Sequence, residues 1–506
     1  MPLKIDSTLT PKKLLPRLER MFELSGDKIL IIEKSWKPEQ GTPVFTVKGR
    51  YTSRGWTEWT QGFQFGSALL QFDATGNEQF LEIGRRNTIE RMAAHVSHVG
   101  VHDHGFNNIS TYGNLLRLMH EGKVQWNDRE KDFYELALKV SGAVQAARWT
   151  TLSARAGFVY SFNGPHSLFI DTMRTLRVLA VADRLGHVLM GEGDRKISLL
   201  RRLIQHSVTT SRHAVYFGKA RDAYDIRGRV AHESIFNLKD NNYRCPNSQQ
   251  GYSPFSTWTR GLAWAILGFA EELEFLRTLT DEEINYASYV GWLVEAFQAV
   301  TKPGQSKAAS RSGPFLKWTR KYMRAAGRDA VGSMFAAALA TADFYLAHCC
   351  ADGIPMWDTG APNLHSLPAN YLNKPANPFN KWEPVDSSAA AIAAQGLIRL
   401  GNYLHATRNT QHASRYRQAG LTIARTLLEE PYLSTNPKHQ GLLLHSVYHR
   451  PNGWDYIAPG QKVPNGESSM WGDYHLRELG LMLLREARGE PYLTFFGCVP
   501  QARISS

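Results

Sequence analysis

Apolar residues recur three and four positions apart along most of this chain, the spacing that lines one face of an α-helix. In "ASRYRQAGLTIARTLL" the stripe is Tyr416, Ala419, Ile423 and Leu427, while Arg415, Arg417 and Arg425 fall elsewhere. In "DSSAAAIAAQGLIRLG" an alanine run follows Asp386 and Ser387, either of which can cap a helix start, and Gly401 is expected to end the helix. Small side chains in that run suit close approach of a second helix. Roughly a dozen such segments are readable, near 61–73, 77–97, 106–121, 130–147, 166–186, 194–217, 255–276, 281–301, 329–350, 386–402, 411–430 and 467–487. Turn signals such as "ATGN" after 73, Gly186 and "RLGN" from 399 separate many of them. Strand-like pieces are few; "GRVAHESIFNL" and residues 442–449 are the best. This pattern predicts an all-α fold. Helices in antiparallel pairs suggest an α/α toroid, in which loops at one end of the ring build a cleft. A bundle or solenoid gives a similar string, although no repeat of fixed length is present.

The punctuation also divides the chain. Residues 1–55 read as an N-terminal extension with a helix at about 11–25, residues 56–490 as the barrel, and residues 491–506 as a C-terminal tail. Two stretches read as long inserted loops: 302–328, basic and Gly/Ser-rich at its start, and 359–384, dense in Pro, Asn and Gly. Loops of such length are often functional.

Composition narrows the class. Lys and Arg exceed Asp and Glu by 59 to 46, a net charge of +13, which favours acidic partners. The basic residues are scattered, and no tail, zinc finger or RNP sequence marks a nucleic-acid partner. Cys245, Cys349, Cys350 and Cys498 show no metal-ligand spacing, so neither a metal nor another cofactor is expected. Reduced thiols suit the cytosol. The N-terminus breaks every apolar run with a charge, unlike a secretory signal, and no stretch reads as a membrane span. A cytoplasmic protein without membrane contact is expected; nothing sets its oligomeric state.

With no metal or nucleotide motif, carboxylates lead the search for chemistry. Asp103 lies between two histidines in "VHDHGF", at the mouth of a predicted helix, where an Asp is most often a cap. Asp171, in "PHSLFIDTMRTLRVL", falls inside an apolar helical pattern. There it is either satisfied by hydrogen bonds or carries a raised pKa that suits a general acid. His232 lies in a short predicted strand, where a lone His is more often structural than catalytic. In "QQGYSPFSTWTRGLAWAILGF", Arg260 stands against the helix dipole between Trp258 and Trp264. An arginine so placed is either a snorkelling core residue or the partner of an anion.

Six segments together resemble the unsaturated glucuronyl hydrolases of glycoside hydrolase family 88: "EWTQGF" at 58–63, "HDHGF" at 102–106, "FIDTM" at 169–173, the segment 249–269, "DSSAAAIAAQGLIRL" at 386–400 and "SSMWGDYHLRELGLML" at 468–483. They follow the family's order and span most of residues 56–487. The resemblance implies an (α/α)6 barrel. It also implies release of a 4,5-unsaturated uronic acid from the non-reducing end of lyase-generated oligosaccharides. In that reaction an Asp protonates C4 of the C4=C5 bond, water adds at C5, and the hemiketal opens with loss of the glycosidic bond. Asp171 looks like the general acid/base, and Asp103 like the second essential Asp. His232 and Gln250 resemble an active-site His and the Gln of an "HQG" motif. Trp59, Trp258, Arg260 and Trp264 resemble cleft-wall and pocket positions that would hold a flat ring bearing a carboxylate. The implied partner is an acidic oligosaccharide. Departures are "FQFG" for an "FWPG"-like stretch, "QQG" for "HQG", "RGLAW" for "RGQAW", and His104 for an aliphatic residue. Alternatives are a hydrolase of saturated glucuronides or rhamnogalacturonan products on a related barrel, a sugar epimerase, and a basic glycan-binding protein.

Overall fold

Thr10 starts the first helix. Its hydroxyl accepts from the Lys13 amide at 3.3 Å, and Pro11 takes the first turn, where a missing N–H costs nothing. This helix, α1 (Pro11–Ser35), buries Leu14, Leu18, Met21, Phe22, Ile29 and Ile32 on one stripe. Further helices are α2 (Gln61–Thr75), α3 (Glu78–Arg91), followed by a short turn of helix at Ala93–Val96, α4 (His104–Asn108), α5 (Asn114–His120), α6 (Asp128–Ala147), α7 (Thr172–Thr175), α8 (Arg177–Arg184), α9 (Leu199–His213), α10 (Thr259–Leu276), α11 (Gly313–His348), α12 (Ser387–Ala406), α13 (Thr410–Leu427) and α14 (Met470–Arg488). A π-helical turn at Ile109–Gly113 joins α4 to α5. The structure is a computed structural model and describes residues 2–55, 58–288, 313–497 and 499.

Among the described residues, six inner runs form a closed ring: α2, α4–α5, α7–α8, α10, α12 and α14, each packed on the next and α14 packed on α2. The outer layer is α1, α3, α6, α9, α11 and α13. The molecule is therefore an (α/α)6 toroid. All six inner runs begin at the same end, just after Trp59, Asp103, Asp171, Trp258, Asp386 and Ser469. The C-terminal segment closes the other end, with Phe495 and Phe496 buried against Phe275.

The helix boundaries depart from the periodic reading in instructive places. The segment read as an N-terminal extension supplies the first outer helix, α1, which packs on α2 and α14. The predicted helix at 281–301 is helical over 281–288 and otherwise lies outside the described residues. The stretch 302–328, expected to be a loop, is helical from Gly313 onward, with Pro314 in the first turn; its earlier part lies outside the described residues. Ala325–His348 is long and apolar enough to pass as a membrane span by composition, contrary to the sequence reading, but it buries Met334, Ala337, Ala340 and Leu346 in the toroid. Gly401 does not end α12. It sits mid-helix, where a Cβ would come within 2.8 Å of the Ala413 carbonyl oxygen of α13. Residues 359–384 form a loop with two short 3-10 turns.

The largest departure bears on the site. The segment 166–186 is not one helix. Ser167–Phe169 is a strand, β1, in an antiparallel sheet with β2 (Glu233–Phe236) and β3 (Tyr243–Asn247), ordered β1–β2–β3. Asp171 thus stands at a strand-to-helix junction. Residues 442–449, read as strand-like, make only isolated bridges, Leu433 to Leu443 and Leu444 to Ser468.

Candidate active site

The sheet brings Asp171 to the cleft. Phe169 pairs with Glu233, and the Ile170 amide donates to the His232 carbonyl at 3.0 Å. Asp171 then begins α7, yet its side chain caps nothing, and its Oδ1 is buried without a hydrogen-bond partner among the described residues. Asp103 likewise sits at the N-cap position of α4 without a side-chain capping bond. The simple cap reading of Asp103 therefore fails, and the Oδ1 of Asp171 is not satisfied by a hydrogen bond among the described residues. Gly105 lets α4 lie against α7: a Cβ there would fall 2.0 Å from the Thr175 carbonyl oxygen. A side chain at this position would push the two aspartate-bearing helices apart.

Both carboxylates line one cavity of about 380 Å³ at the end where the inner helices begin. Burial pushes each pKa up to about 7. For Asp171, Arg260 pulls it down and the charge of Asp103 adds to the rise; for Asp103, Arg148 and His98 oppose the rise. Neither has an Arg or Lys within ion-pair distance among the described residues. The Nε2 of His102 stands 3.8 Å from Asp103, but burial depresses the pKa of that imidazole to about 3, so it is neutral there.

Around them the walls are aromatic. Trp59, Phe106, Phe162, Trp258, Trp264, Tyr448 and Trp454 line the cavity. Trp59 stacks on Trp471 at 5.1 Å, and Trp264 packs against Phe106 and His475 at 4.9 Å each. Arg260 is pinned inside this wall. Its terminal nitrogens donate to Asp386 at 3.2 Å, Gln250 Oε1 at 2.8 Å, the Tyr448 carbonyl at 2.8 Å and the Val447 carbonyl. The guanidinium lies 4.6 Å from the Trp258 ring centre and 4.7 Å from that of Trp471. Asp386 also caps α12, accepting from the Ser388 and Ala389 amides. The arginine's charge is thus answered within the protein, and it holds the Gln250 side chain toward the cavity.

Of the residues expected from sequence, Asp103, Asp171, Trp59, Gln250, Trp258, Arg260 and Trp264 line this one cavity. His232 does not. It is 3% exposed, lies behind the wall, and its Nδ1 accepts from the Gln249 and Gln250 amides at 3.0 and 3.4 Å. Its ring packs between Phe169 and Trp258, and burial lowers its pKa to about 3. It fixes the loop that carries Gln250. Sequence reasoning missed Phe162, Tyr448, His449 and Trp454. The signal for the last three was the aromatic cluster "YHRPNGW", held in place where the Asp455 carboxylate accepts from the Tyr448 and His449 amides.

A larger cavity of about 650 Å³ lies among Leu273, Ile284, Val331, Phe335 and Tyr403. Its lining holds one carboxylate among the described residues, Asp281, and so no pair able to share a proton task. Nor, among the described residues, does any group of three His, Cys, Asp or Glu side chains stand where it could hold a metal ion.

No family model matches the chain. It is 24% identical over 485 residues to the unsaturated glucuronyl hydrolase of Bacillus sp. strain GL1, covering 92% of this chain and 97% of that one. It is 22% identical over 429 residues to an unsaturated glucuronyl hydrolase of Formosa agariphila, covering 83% of this chain and 78% of the relative. The crystal structure of the Bacillus sp. GL1 enzyme superposes with a TM-score of 0.62 at 20% identity, over 96% of this chain and all of that one. The similarity thus runs the length of the chain, and the toroid is the fold it shares with these proteins.

Proposed function

We propose that this protein is a glycoside hydrolase that releases a 4,5-unsaturated uronic acid from the non-reducing end of an acidic oligosaccharide by hydrating the C4=C5 bond. The observation that carries the reading is the pair Asp103 and Asp171: two buried carboxylates on one aromatic cleft, with no Arg or Lys salt-bridged to either among the described residues, each pushed by burial up to about 7. The likeness to unsaturated glucuronyl hydrolases supports the same reading.

Protonating a carbon needs an acid that is still protonated near neutral pH and is kept from water. Asp171 fits this task. Its proton passes to C4, its carboxylate takes a proton from the water that adds at C5, and the resulting hemiketal opens with departure of the leaving sugar. Asp103, when ionised, strengthens the hold of Asp171 on its proton, so the two titrate as a coupled pair. Gln250, aimed by Arg260 and by the loop on His232, is suited to hold the substrate carboxylate or the water. Trp258 and Trp264 offer faces that suit a half-chair ring with an sp2 edge. The N-terminal ends of the six inner helices add a positive potential that favours an anionic sugar.

The test is optical. Unsaturated uronyl disaccharides absorb in the ultraviolet through the double bond, and turnover bleaches them. The wild type is expected to bleach the substrate, with a rate that falls as pH rises through about 7, the value to which burial pushes Asp171. Asp171→Asn is expected to lose about a hundredfold to ten-thousandfold in kcat while remaining folded. Persistent absorbance with several disaccharides sinks this reading in favour of an epimerase or a glycan-binding protein.

A further inference from the structure

Four histidines cluster along the segment that carries Asp103: His95, His98, His102 and His104. Three of them are buried, and burial lowers His95 to about 4, His102 to about 3 and His104 to about 4, so they are neutral near neutral pH. His98 differs. It is half-buried and lines the same cavity as Asp103 and Asp171. Water can solvate its cation, which the sealed imidazoles are denied. The loop that carries it is held from behind. His104 Nε2 donates to the His98 carbonyl at 2.9 Å, while His104 Nδ1 lies 2.8 Å from the Ser141 hydroxyl. Arg148 donates to the carbonyls of Val99, Tyr160 and Ser161. At Gly100, a Cβ would meet His98 Nε2 at 3.0 Å, so the absence of a side chain there lets the ring lie over the chain. The imidazole is thus set in the cleft wall by contacts that spare its own ring.

We propose that His98 is a positioning residue that acts through Asp103: its protonated imidazole keeps the Asp103 carboxylate ionised and so leaves the proton of the pair on Asp171. This inference rests on the hydrolase reading above, in which Asp171 delivers that proton. The charges that act on the pair divide between them. Arg260 and the charge of Asp103 act on Asp171, whereas Arg148 and His98 act on Asp103. Arg260 is answered by Asp386, and Arg148 is a permanent cation whose nitrogens are directed at three carbonyls. His449, a further imidazole on this cavity, is lowered to about 4 by burial and is neutral, as His102 is. Among these groups, His98 is the one whose charge can change near neutral pH. Burial pushes Asp103 up to about 7, where a nearby charge tips it either way. A proton on His98 favours the carboxylate, and the carboxylate strengthens the hold of Asp171 on its own proton.

The test compares His98→Gln, neutral at every pH, with His98→Arg, charged at every pH. In an Asp171→Asn background, the infrared band of a protonated carboxylic acid that disappears on adding Asp103→Asn belongs to Asp103. With His98→Gln, Asp103 should keep its proton to a pH about half to one unit higher than with His98 in place. With His98→Arg it should lose the proton at the same pH as with His98, or lower. In turnover of an unsaturated uronyl disaccharide by enzyme with Asp171 intact, the acid limb of kcat/KM should rise by a similar amount in His98→Gln and return in His98→Arg. An Asp103 midpoint unchanged by His98→Gln overturns the proposal. So does a shift of the same sign in both variants, which a loosened loop would give, or an acid limb that stays in place in the active enzyme. If the wild type bleaches no disaccharide, the hydrolase reading fails, and the infrared midpoints still decide whether His98 sets the charge of Asp103.

Discussion

Two layers of buried carboxylates cross the axis of this toroid, and they behave differently. In the cleft, Asp103 and Asp171 stand without a salt-bridged Arg or Lys among the described residues, and burial pushes both up to about 7. Below them, in the middle of the barrel, Glu478 accepts from Arg174 at 2.5 Å and stands 3.6 Å from Arg177, while Arg174 also meets Glu271 at 2.7 Å. Burial would push Glu478 up as well, but the two arginines outweigh it and hold it below the usual range. Pairing, not depth, separates these cases. Glu272 makes the point from the other side: in the same layer, with neither oxygen partnered among the described residues, it is raised well above its ordinary value. Yet Glu272 is fully sealed, whereas Asp103 and Asp171 are each 8% exposed and face a cavity. A raised carboxylate marks a candidate acid only where a substrate can reach it.

The comparison breaks most sharply at Glu478. Glu478→Gln leaves Arg174 and Arg177 buried with fewer counter-charges and should cost about 3–5 kcal/mol in denaturant unfolding, since losing one partner strands the other charge. A loss below about 1 kcal/mol would mean that the layer is solvated and that pairing is not what sets it apart.

A smaller effect of opposite sign is expected in the cleft. The pKa of Asp171 rises from about 3.8 to about 7 on folding, so the native state holds more protons than the unfolded chain between those values. Wild-type stability therefore falls as pH rises across that window, and the penalty is complete above it. Asp171→Asn removes the penalty. It should be more stable than the wild type by about 1–4 kcal/mol at pH 8, with the gain vanishing below about pH 4. Equal stability at pH 8 would show that Asp171 is not strained by desolvation. A variant that loses activity while gaining stability is the pattern expected of a functional group kept in an unfavourable place.

The smallest effect concerns His232, which reaches the cavity indirectly, through Gln249, Gln250 and Trp258. His232→Asn should lower kcat/KM about tenfold by loosening that loop, while the pH profile keeps its midpoint. A displaced midpoint would make His232 a proton carrier after all.

Much of this was legible in the order of residues. Cap and period signals are local, so α2, α6, α10, α12 and α14 fall close to where the apolar stripes predict them. Asp171 stood out because a carboxylate amid apolar residues is costly wherever it folds, whereas Asp103, set between two histidines, was singled out only through the family resemblance. What misled was also local in form. "SLF" fits a helical stripe as well as a strand, and only pairing with Glu233–Phe236 decides between them. Arg260 looked like a cation awaiting an anion because Asp386, its partner, lies 126 residues away.

The sequence by itself determined the helical class and the approximate count of helices, since each follows from spacing within a few turns; it singled out Asp171 through the cost of burying a charge and Asp103 only through the family resemblance. The tertiary structure alone decided that α1 belongs to the barrel, that His232 stands behind the wall, and that Tyr448, His449 and Trp454 face the cavity. Those facts depend on closing the ring, which brings together segments more than 200 positions apart in the chain, as Trp59 meets Trp471. No local pattern encodes that meeting, because its driving force is the joint burial of surfaces that exist only after the helices have formed.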